Sequence, residues 1–334
     1  MSSILPSISP DLSRIPPLSR RQFIASTLAT ALAAAACRGA EEAPGSKPAA
    51  AGPTFGFSTY GMKTFTTEQS LRELAAIGFD SVELDCSAGR DADPANLTPA
   101  RRADIRKIAA DLGLRLTAVM GVGTPSASDT AHEANLERFK VIGQLVHDLC
   151  PEQPPLIETV LGGRDPWEKM KPLFVRRLAD WVKVAETSDL RIAVKPHRDS
   201  SMDRPEQAVE LIKELGAPAR LRMNYDYSHF ALRDMPMADT IRVALPWTAF
   251  VSLKDVAIED GKTAFKLPGE TKQIDYAALI RQFQEGGYRG DYNCEVSAMI
   301  FNKPGFDCLA AAKLSYANIA PAFVAAGVTR VKRA

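Results

Sequence analysis

Residues 191–226, RIAVKPHRDSSMDRPEQAVELIKELGAPARLRMNYD, hold one complete copy of the pattern that decides the fold. Arg191–Lys195 is a short apolar run that ends on a charge. Ala208–Leu215 then places apolar residues at helical spacing, with Pro205 before it and Gly216 after it. A proline's fixed φ suits a first helical turn, and a glycine's freedom suits the residue beyond the last. Leu221–Asp226 is a second apolar run, again closed by an ionisable residue. A strand, a crossover helix and a second strand in this length form a unit whose strands lie parallel.

The same alternation extends in both directions. Further strands are predicted at Phe55–Tyr60, Ser81–Asp85, Arg115–Met120, Leu156–Val160, Phe250–Lys254 and Asp291–Val296. Between them, Ser70–Ile77 carries Leu71, Leu74, Ala75 and Ile77, and Leu173–Val184 carries Phe174, Leu178, Trp181 and Val182. Both patterns, and that of Tyr276–Phe283, have helical periodicity. Pro99 and Asp275 stand near helix starts, while Gly78 and Gly113 follow helix ends. Eight strand-then-helix units predict a single-domain (β/α)8 TIM barrel over residues 54–334. The rival is a doubly wound open sheet that binds a dinucleotide through a glycine-rich turn after its first strand. Phe55-Gly56-Phe57-Ser58-Thr59-Tyr60-Gly61 lacks that spacing, so the barrel is preferred.

The first fifty residues read differently. Ser19-Arg20-Arg21-Gln22-Phe23-Ile24 is a twin-arginine pair followed by an uncharged Ala/Leu-rich run, Ala25–Ala36. That run is too short to span a membrane and fits the apolar region of an export signal. Residues 1–37 are therefore expected to be a twin-arginine signal peptide that exports a folded protein to the periplasm. Ala34-Ala35-Ala36 fits a cleavage site. It also resembles a loose lipobox, with Cys37 as a lipid anchor holding the protein at the membrane. Residues 38–53, rich in Ala, Gly, Pro and Glu, read as a flexible linker.

With 41 Lys+Arg against 40 Asp+Glu in 334 residues, the formal charge is +1. Such balance gives no electrostatic reason to expect a nucleic-acid partner. Cys86, Cys150, Cys294 and Cys308 show no C-x-x-C spacing and read as thiols. Oligomeric state is not legible.

Ionisable residues recur near the C-terminal ends of the strands, where barrels of this type place their chemistry. Glu83 and Asp85 share a face of the second strand, and Glu158 lies on the fourth. Lys195 and His197 end the fifth, with Arg198 after them. Asn224 and Asp226 lie on the sixth and His229 follows, Ser252 and Lys254 lie on the seventh, and Glu295 and Ser297 on the eighth. Any one of these could serve only in a salt bridge that closes the barrel mouth. Glu158, Lys195, His197, Asp226, Lys254 and Glu295 together point to a site, because each unpaired buried charge costs several kcal/mol. His132 and His147, in a helical stretch, are expected at the surface.

This order of residues resembles the xylose isomerase-like barrel family of sugar isomerases, epimerases and apurinic-site endonucleases. Asp226-Tyr227-Ser228-His229 is similar to the family's D-x-x-H, and Ser252-Leu253-Lys254-Asp255 to its H-x-K-D. Gly287-Tyr288-Arg289-Gly290, leading into Cys294-Glu295-Val296, is similar to its G-Y-x-G…E. The resemblance implies one divalent cation (Mn, Mg, Co or Zn) held by a strand-five Glu, the Asp of D-x-x-H, a strand-seven His and a strand-eight Glu. Asp226 and Glu295 match. Lys195 and Ser252 stand in the other two places, and an ammonium cannot ligate a cation. Two readings follow. Either the metal shifts, with His197, Asp226 and Glu295 as ligands and Glu158 as a further replacement, or Lys195 takes the metal's place. The shifted metal is favoured.

The resemblance also implies a small carbohydrate substrate and proton abstraction next to a carbonyl. Export points to a non-phosphorylated sugar or keto-sugar. Glu158 and Glu295 are the candidate bases, Lys195 and Lys254 the candidate electrophiles, and His229 and Arg198 the substrate-binding residues. A lyase or hydrolase of keto-glycosides, or a sugar-binding barrel with a degenerate metal site, are the alternatives. The endonuclease branch is set aside because its additional histidines are missing.

Overall fold

The computed structural model describes residues 52–331. The expected signal, the Cys37 lipidation site and nearly all of the linker lie outside the described residues.

Eight parallel strands close a barrel. They are β1 (Phe55–Ser58), β2 (Ser81–Asp85), β3 (Arg115–Met120), β4 (Leu156–Val160), β5 (Ile192–Lys195), β6 (Leu221–Asp226), β7 (Thr248–Leu253) and, after a hairpin, β10 (Asp291–Cys294). Their order round the barrel is β1-β2-β3-β4-β5-β6-β7-β10, with β10 returning to β1. The hairpin, β8 (Asp255–Glu259) with β9 (Lys262–Lys266), is a separate two-stranded antiparallel sheet that follows β7 directly. Its turn has Asp260 at φ 49° and Gly261 at φ 71°. Two left-handed residues give the primed turn that suits a tight hairpin.

The helices are α1 (Thr67–Ile77), α2 (Pro99–Asp111), α3 (Asp129–Leu149), α4 (Trp167–Thr187), α5 (Pro205–Glu214), α6 (Met237–Ala244), α7 (Tyr276–Glu285), α8 (Ala298–Phe301) and α9 (Cys308–Ala325). Sequence-local chemistry starts and stops them. Thr66 and Gln69 form a reciprocal capping box on α1, which ends at Gly78 in the left-handed region. Thr98 caps α2 just before Pro99, and Ser128, Asp275 and Asp307 cap α3, α7 and α9.

The outward faces of the strands pack on the helices. Trp181, Phe139, Phe174 and Phe283 lie fully buried in that shell. Several bounds differ from expectation: β5 starts at Ile192 and β10 stops at Cys294. β7 starts two residues early and stops at Leu253, β1 stops at Ser58, and the hairpin was not anticipated. His132 is not at the surface: it is 4% exposed, and its Nε2 lies 3.1 Å from Asp180 Oδ2 on α4. Its helix turns it toward the neighbouring helix, a direction the periodicity of α3 alone does not give. Cys86, Cys294 and Cys308 are buried thiols, and no disulfide links the described cysteines.

Inside the barrel, alternate residues stack in layers. Ala118, Leu156, Ala193 and Phe250 form a small apolar plug of their own. Toward the C-terminal ends of the strands the composition changes. There Asn224 Nδ2 donates to Glu158 Oε2 at 3.0 Å, and Ser252 Oγ donates to Asn224 Oδ1 at 3.1 Å. Asn293 Nδ2 donates to Glu83 Oε2 at 3.0 Å. Above this amide layer, at the C-terminal mouth, stand the charges.

Candidate functional site

Strand alternation puts Lys195 above Ala193, Asp226 above Asn224, Lys254 above Ser252 and Glu295 above Asn293. All four side chains therefore meet at one level of the mouth, and all four are buried. Glu295 is the centre. Lys195 Nζ donates to its Oε2 at 2.5 Å, and Lys254 Nζ donates to its Oε1 at 2.8 Å. Lys195 Nζ also lies 3.5 Å from Glu158 Oε2, and Lys254 Nζ lies 3.3 Å from Asp226 Oδ2. Asp226 and Glu295, far apart in sequence, are thus joined through one ammonium group.

The charge states follow from these contacts. Burial alone would raise the Glu295 pKa, but Lys195 and Lys254 outweigh it and hold the carboxyl at about 2. Burial also opposes ionisation of Asp226, yet Lys254 and His229 keep it well below the usual carboxylate range. Both lysines are raised: burial disfavours their charge, but Glu158 and Glu295 dominate at Lys195, and Glu295 and Asp226 at Lys254. Glu158 differs. Burial pushes its pKa up, and Lys195 offsets this only in part. Glu83, deeper in the barrel, is raised well above the usual range by burial and by Glu158. The cluster therefore holds two firmly ionised carboxylates against two ammonium groups, with a third carboxyl whose proton is more easily gained.

The histidines border this cluster as neutral rings. Burial pushes His229 down to about 4 and His197 down to about 2. Their ring centroids are 4.0 Å apart. His229 Nε2 lies 3.3 Å from Asp226 Oδ2 without hydrogen-bond alignment, so the pair is an electrostatic contact. His197 Nδ1 accepts from the Asp199 amide at 3.3 Å. Arg198 Nη2 donates to the Ala231 carbonyl at 3.4 Å, and its buried Nη1 has no protein partner. The hairpin closes one side, with Phe265 lying 4.9 Å from Lys254 Nζ and edge-on to His229 at 5.4 Å. Phe265 was missed from sequence; the Asp260-Gly261 turn was the signal for the hairpin that carries it. Asp85 and Ser297 do not join the cluster. Asp85 pairs with Arg90, five residues on, and Ser297 caps α8.

A divalent cation needs several oxygen or imidazole donors converging on one point. Among the described residues, no three His, Cys, Asp or Glu side chains are so arranged. The expected ligand set of His197, Asp226 and Glu295 does not converge on one point in this structure. The physical reason is occupancy: both Glu295 oxygens are taken by ammonium groups, and Asp226 Oδ1 accepts from Ser228 N at 3.0 Å and Ser228 Oγ at 2.6 Å. The residues present do not fit a divalent metal.

Comparison with known proteins adds three findings. The model of the xylose isomerase-like TIM barrel family matches residues 71–312. A D-psicose 3-epimerase from Enterocloster bolteae is 24% identical over 187 residues, 52% of this chain and 60% of that enzyme. The chain thus spans less than two thirds of the length of the relative it matches. Among solved structures, a xylose isomerase-like TIM barrel protein from Mycobacterium smegmatis in complex with magnesium aligns with a TM-score of 0.62 and 19% identity. That alignment covers 83% of this chain and 98% of the other. The apo form of a 3-keto-D-glucoside 4-epimerase from E. coli aligns with a TM-score of 0.61 and 15% identity, covering 80% and 99%. At these identities the structural likeness shows the fold.

Proposed function

The chain belongs to the xylose isomerase-like TIM barrel family, and from that premise we propose that it is a carbohydrate isomerase or epimerase. It moves a proton on the carbon next to a carbonyl of a non-phosphorylated sugar or keto-sugar. The observation that carries this reading is the clasp of Glu295 between Lys195 and Lys254, with Glu158 3.5 Å from Lys195 Nζ.

Roles follow from basicity. A carboxylate held at about 2 is a poor proton acceptor, so Glu295 serves as a fixed anion that orients the two ammonium groups. Glu158, whose pKa burial has raised, is the stronger base and takes the proton. Lys195 and Lys254 stay protonated at neutral pH, so they act as hydrogen-bond donors and not as amine nucleophiles. Their charge stabilises the oxyanion that forms on the carbonyl oxygen as the proton leaves. Such preorganised donors supply most where water is excluded. Neutral His229 and the unpartnered Nη1 of Arg198 bind sugar hydroxyls. The twin-arginine signal read at residues 1–37 favours a free sugar, since sugar phosphates belong mainly to the cytosol.

The test is proton exchange. The purified protein is incubated in D2O with a panel of free aldoses, ketoses and keto-glycosides, and deuterium at the carbon next to the carbonyl is followed by NMR. Exchange that Glu158→Gln abolishes supports the reading. A folded parent protein that exchanges no proton of any panel member overturns it.

A further inference from the structure

We propose that this site is closed to divalent cations because it carries its own: Lys195 and Lys254 form a built-in pair of positive charges among Glu158, Asp226 and Glu295. The catalytic meaning of this pair rests on the function proposed above; the exclusion of metal does not.

The geometry supplies the argument. Each ammonium bridges two carboxylates, Lys195 between Glu295 and Glu158, and Lys254 between Glu295 and Asp226. The five groups make a chain, Glu158–Lys195–Glu295–Lys254–Asp226, in which every link is between opposite charges. A cation entering among these carboxylates would have to take Glu295 oxygens already held at 2.5 and 2.8 Å. It would also lie within a few ångströms of two ammonium groups that repel it. Neither lysine has an open route outward, since each is 3% exposed, and Lys254 is backed by the Phe265 ring. The remaining Asp226 oxygen faces both Lys254 and His229 at 3.3 Å. The two ammonium groups already offset two of the three carboxylates, so a dication has at most one negative charge left to neutralise.

The site is also poised to be converted. Lys195→Glu would remove one repelling cation and place a third carboxylate beside Glu295 and Glu158, leaving the excess negative charge that a divalent ion relieves.

Full-length protein purified without chelator is analysed for metal content. Its melting temperature is then followed with Mn2+, Mg2+, Co2+ or Zn2+ added singly, and with EDTA. A metal present at a hundred times its Kd would raise the melting temperature by roughly 5 to 10 °C. The expected result is well under one metal per chain, and a melting temperature that neither metals nor EDTA move. Lys195→Glu is expected to gain a metal-dependent rise that EDTA reverses. If that variant does not fold, Lys195→Gln serves, with a smaller rise expected.

About one tightly held metal per chain in the parent, or a parent melting temperature that rises with a metal and falls with EDTA, overturns the proposal. A folded Lys195 variant that responds to metal no more than the parent also overturns the assignment to Lys195. The two readings fail separately. A metal-free parent without deuterium exchange sinks the proposed reaction and leaves the exclusion standing, whereas a metal-loaded parent sinks the exclusion whatever its activity.

Discussion

Lys195→Met isolates the physical work of the cluster, because methionine matches the lysine stem in bulk and lacks only the charge. Two routes give the size of the effect. Glu295 is held at about 2 against an ordinary 4.5, and at about 1.4 kcal/mol per pH unit this is worth about 3 kcal/mol to the folded state. Independently, removing one partner of a buried ion pair costs about 3–5 kcal/mol, since the other charge is stranded. Lys254 still holds Glu295 Oε1 at 2.8 Å, which places the loss toward the lower figure.

The sign with pH can be worked out. A carboxylate with a depressed folded pKa contributes stability that is complete above its unfolded pKa and is lost as pH falls through the folded one. In the parent, the Glu295 contribution is therefore full at pH 7 and declines between pH 4.5 and about 2. In Lys195→Met, burial acts on Glu295 with less opposition, so its folded pKa rises and that decline shrinks. Urea unfolding followed by tryptophan fluorescence should show a gap of about 3 kcal/mol at pH 7, narrowing to about 1 kcal/mol near pH 3. The double variant Lys195→Met/Glu295→Gln should be more stable than the single variant at pH 7, since it removes the under-compensated Glu295 charge and leaves Lys254 paired with Asp226. A gap below about 1 kcal/mol at pH 7, or one of equal size at both pH values, would refute the reasoning.

Glu158→Gln should lower turnover by about 10²- to 10⁴-fold, the usual worth of a positioned base. It should leave the urea midpoint unchanged or higher, because burial already disfavours the Glu158 charge. In the parent, kcat/KM should fall with acid through a pKa above the ordinary 4.5, since only the ionised Glu158 accepts a proton; an acid limb at or below 4.5 would move the base elsewhere. Arg198→Met should raise KM more than it lowers kcat, a split that steady-state kinetics reads directly. Replacing Arg20 and Arg21 by Lys should leave the precursor in the cytoplasm, and Cys37→Ala should release the mature protein from the membrane fraction if Cys37 is lipidated; fractionation with immunoblotting scores both.

How much of this was legible from sequence depends on what each feature needs. The bounds of β2, β3, β4 and β6 read directly from Ser81–Asp85, Arg115–Met120, Leu156–Val160 and Leu221–Asp226, because each is a short stretch with apolar residues flanked by helical patterns. The β8–β9 hairpin lacked that contrast. Glu259, Asp260, Lys262 and Lys266 make it look like solvated loop, although Asp260-Gly261 marks its turn. Strand alternation also placed Lys195, Asp226, Lys254 and Glu295 at one mouth. It could not say how two long lysine side chains lean, and that decides between a metal and a salt-bridged centre. A lysine reaches across a barrel by rotations that leave no trace in spacing. Asp85 shows the converse: it shares the inward face of β2 with Glu83, yet a loop arginine captures it.

The layering inside the barrel bears on why the charges are there. The shell of Trp181, Phe139, Phe174 and Phe283 and the plug of Phe250 and Leu156 already bury apolar surface without any help from the mouth. A buried ion-pair network adds little to such a frame, because well-packed apolar side chains of similar volume would often do as well or better. Salt bridging alone would also be met by one lysine and one acid. This mouth instead gathers two lysines and three acids, and it surrounds them with a hydrogen-bonded amide layer that fixes Glu158 through Asn224 and Ser252. Among the three carboxylates bridged by the two lysines, Glu158 alone is not held at low pKa, and it lies directly beside an ammonium. A base next to a fixed positive charge, in a buried cluster that stability does not require, is the arrangement that the proposed proton transfer uses.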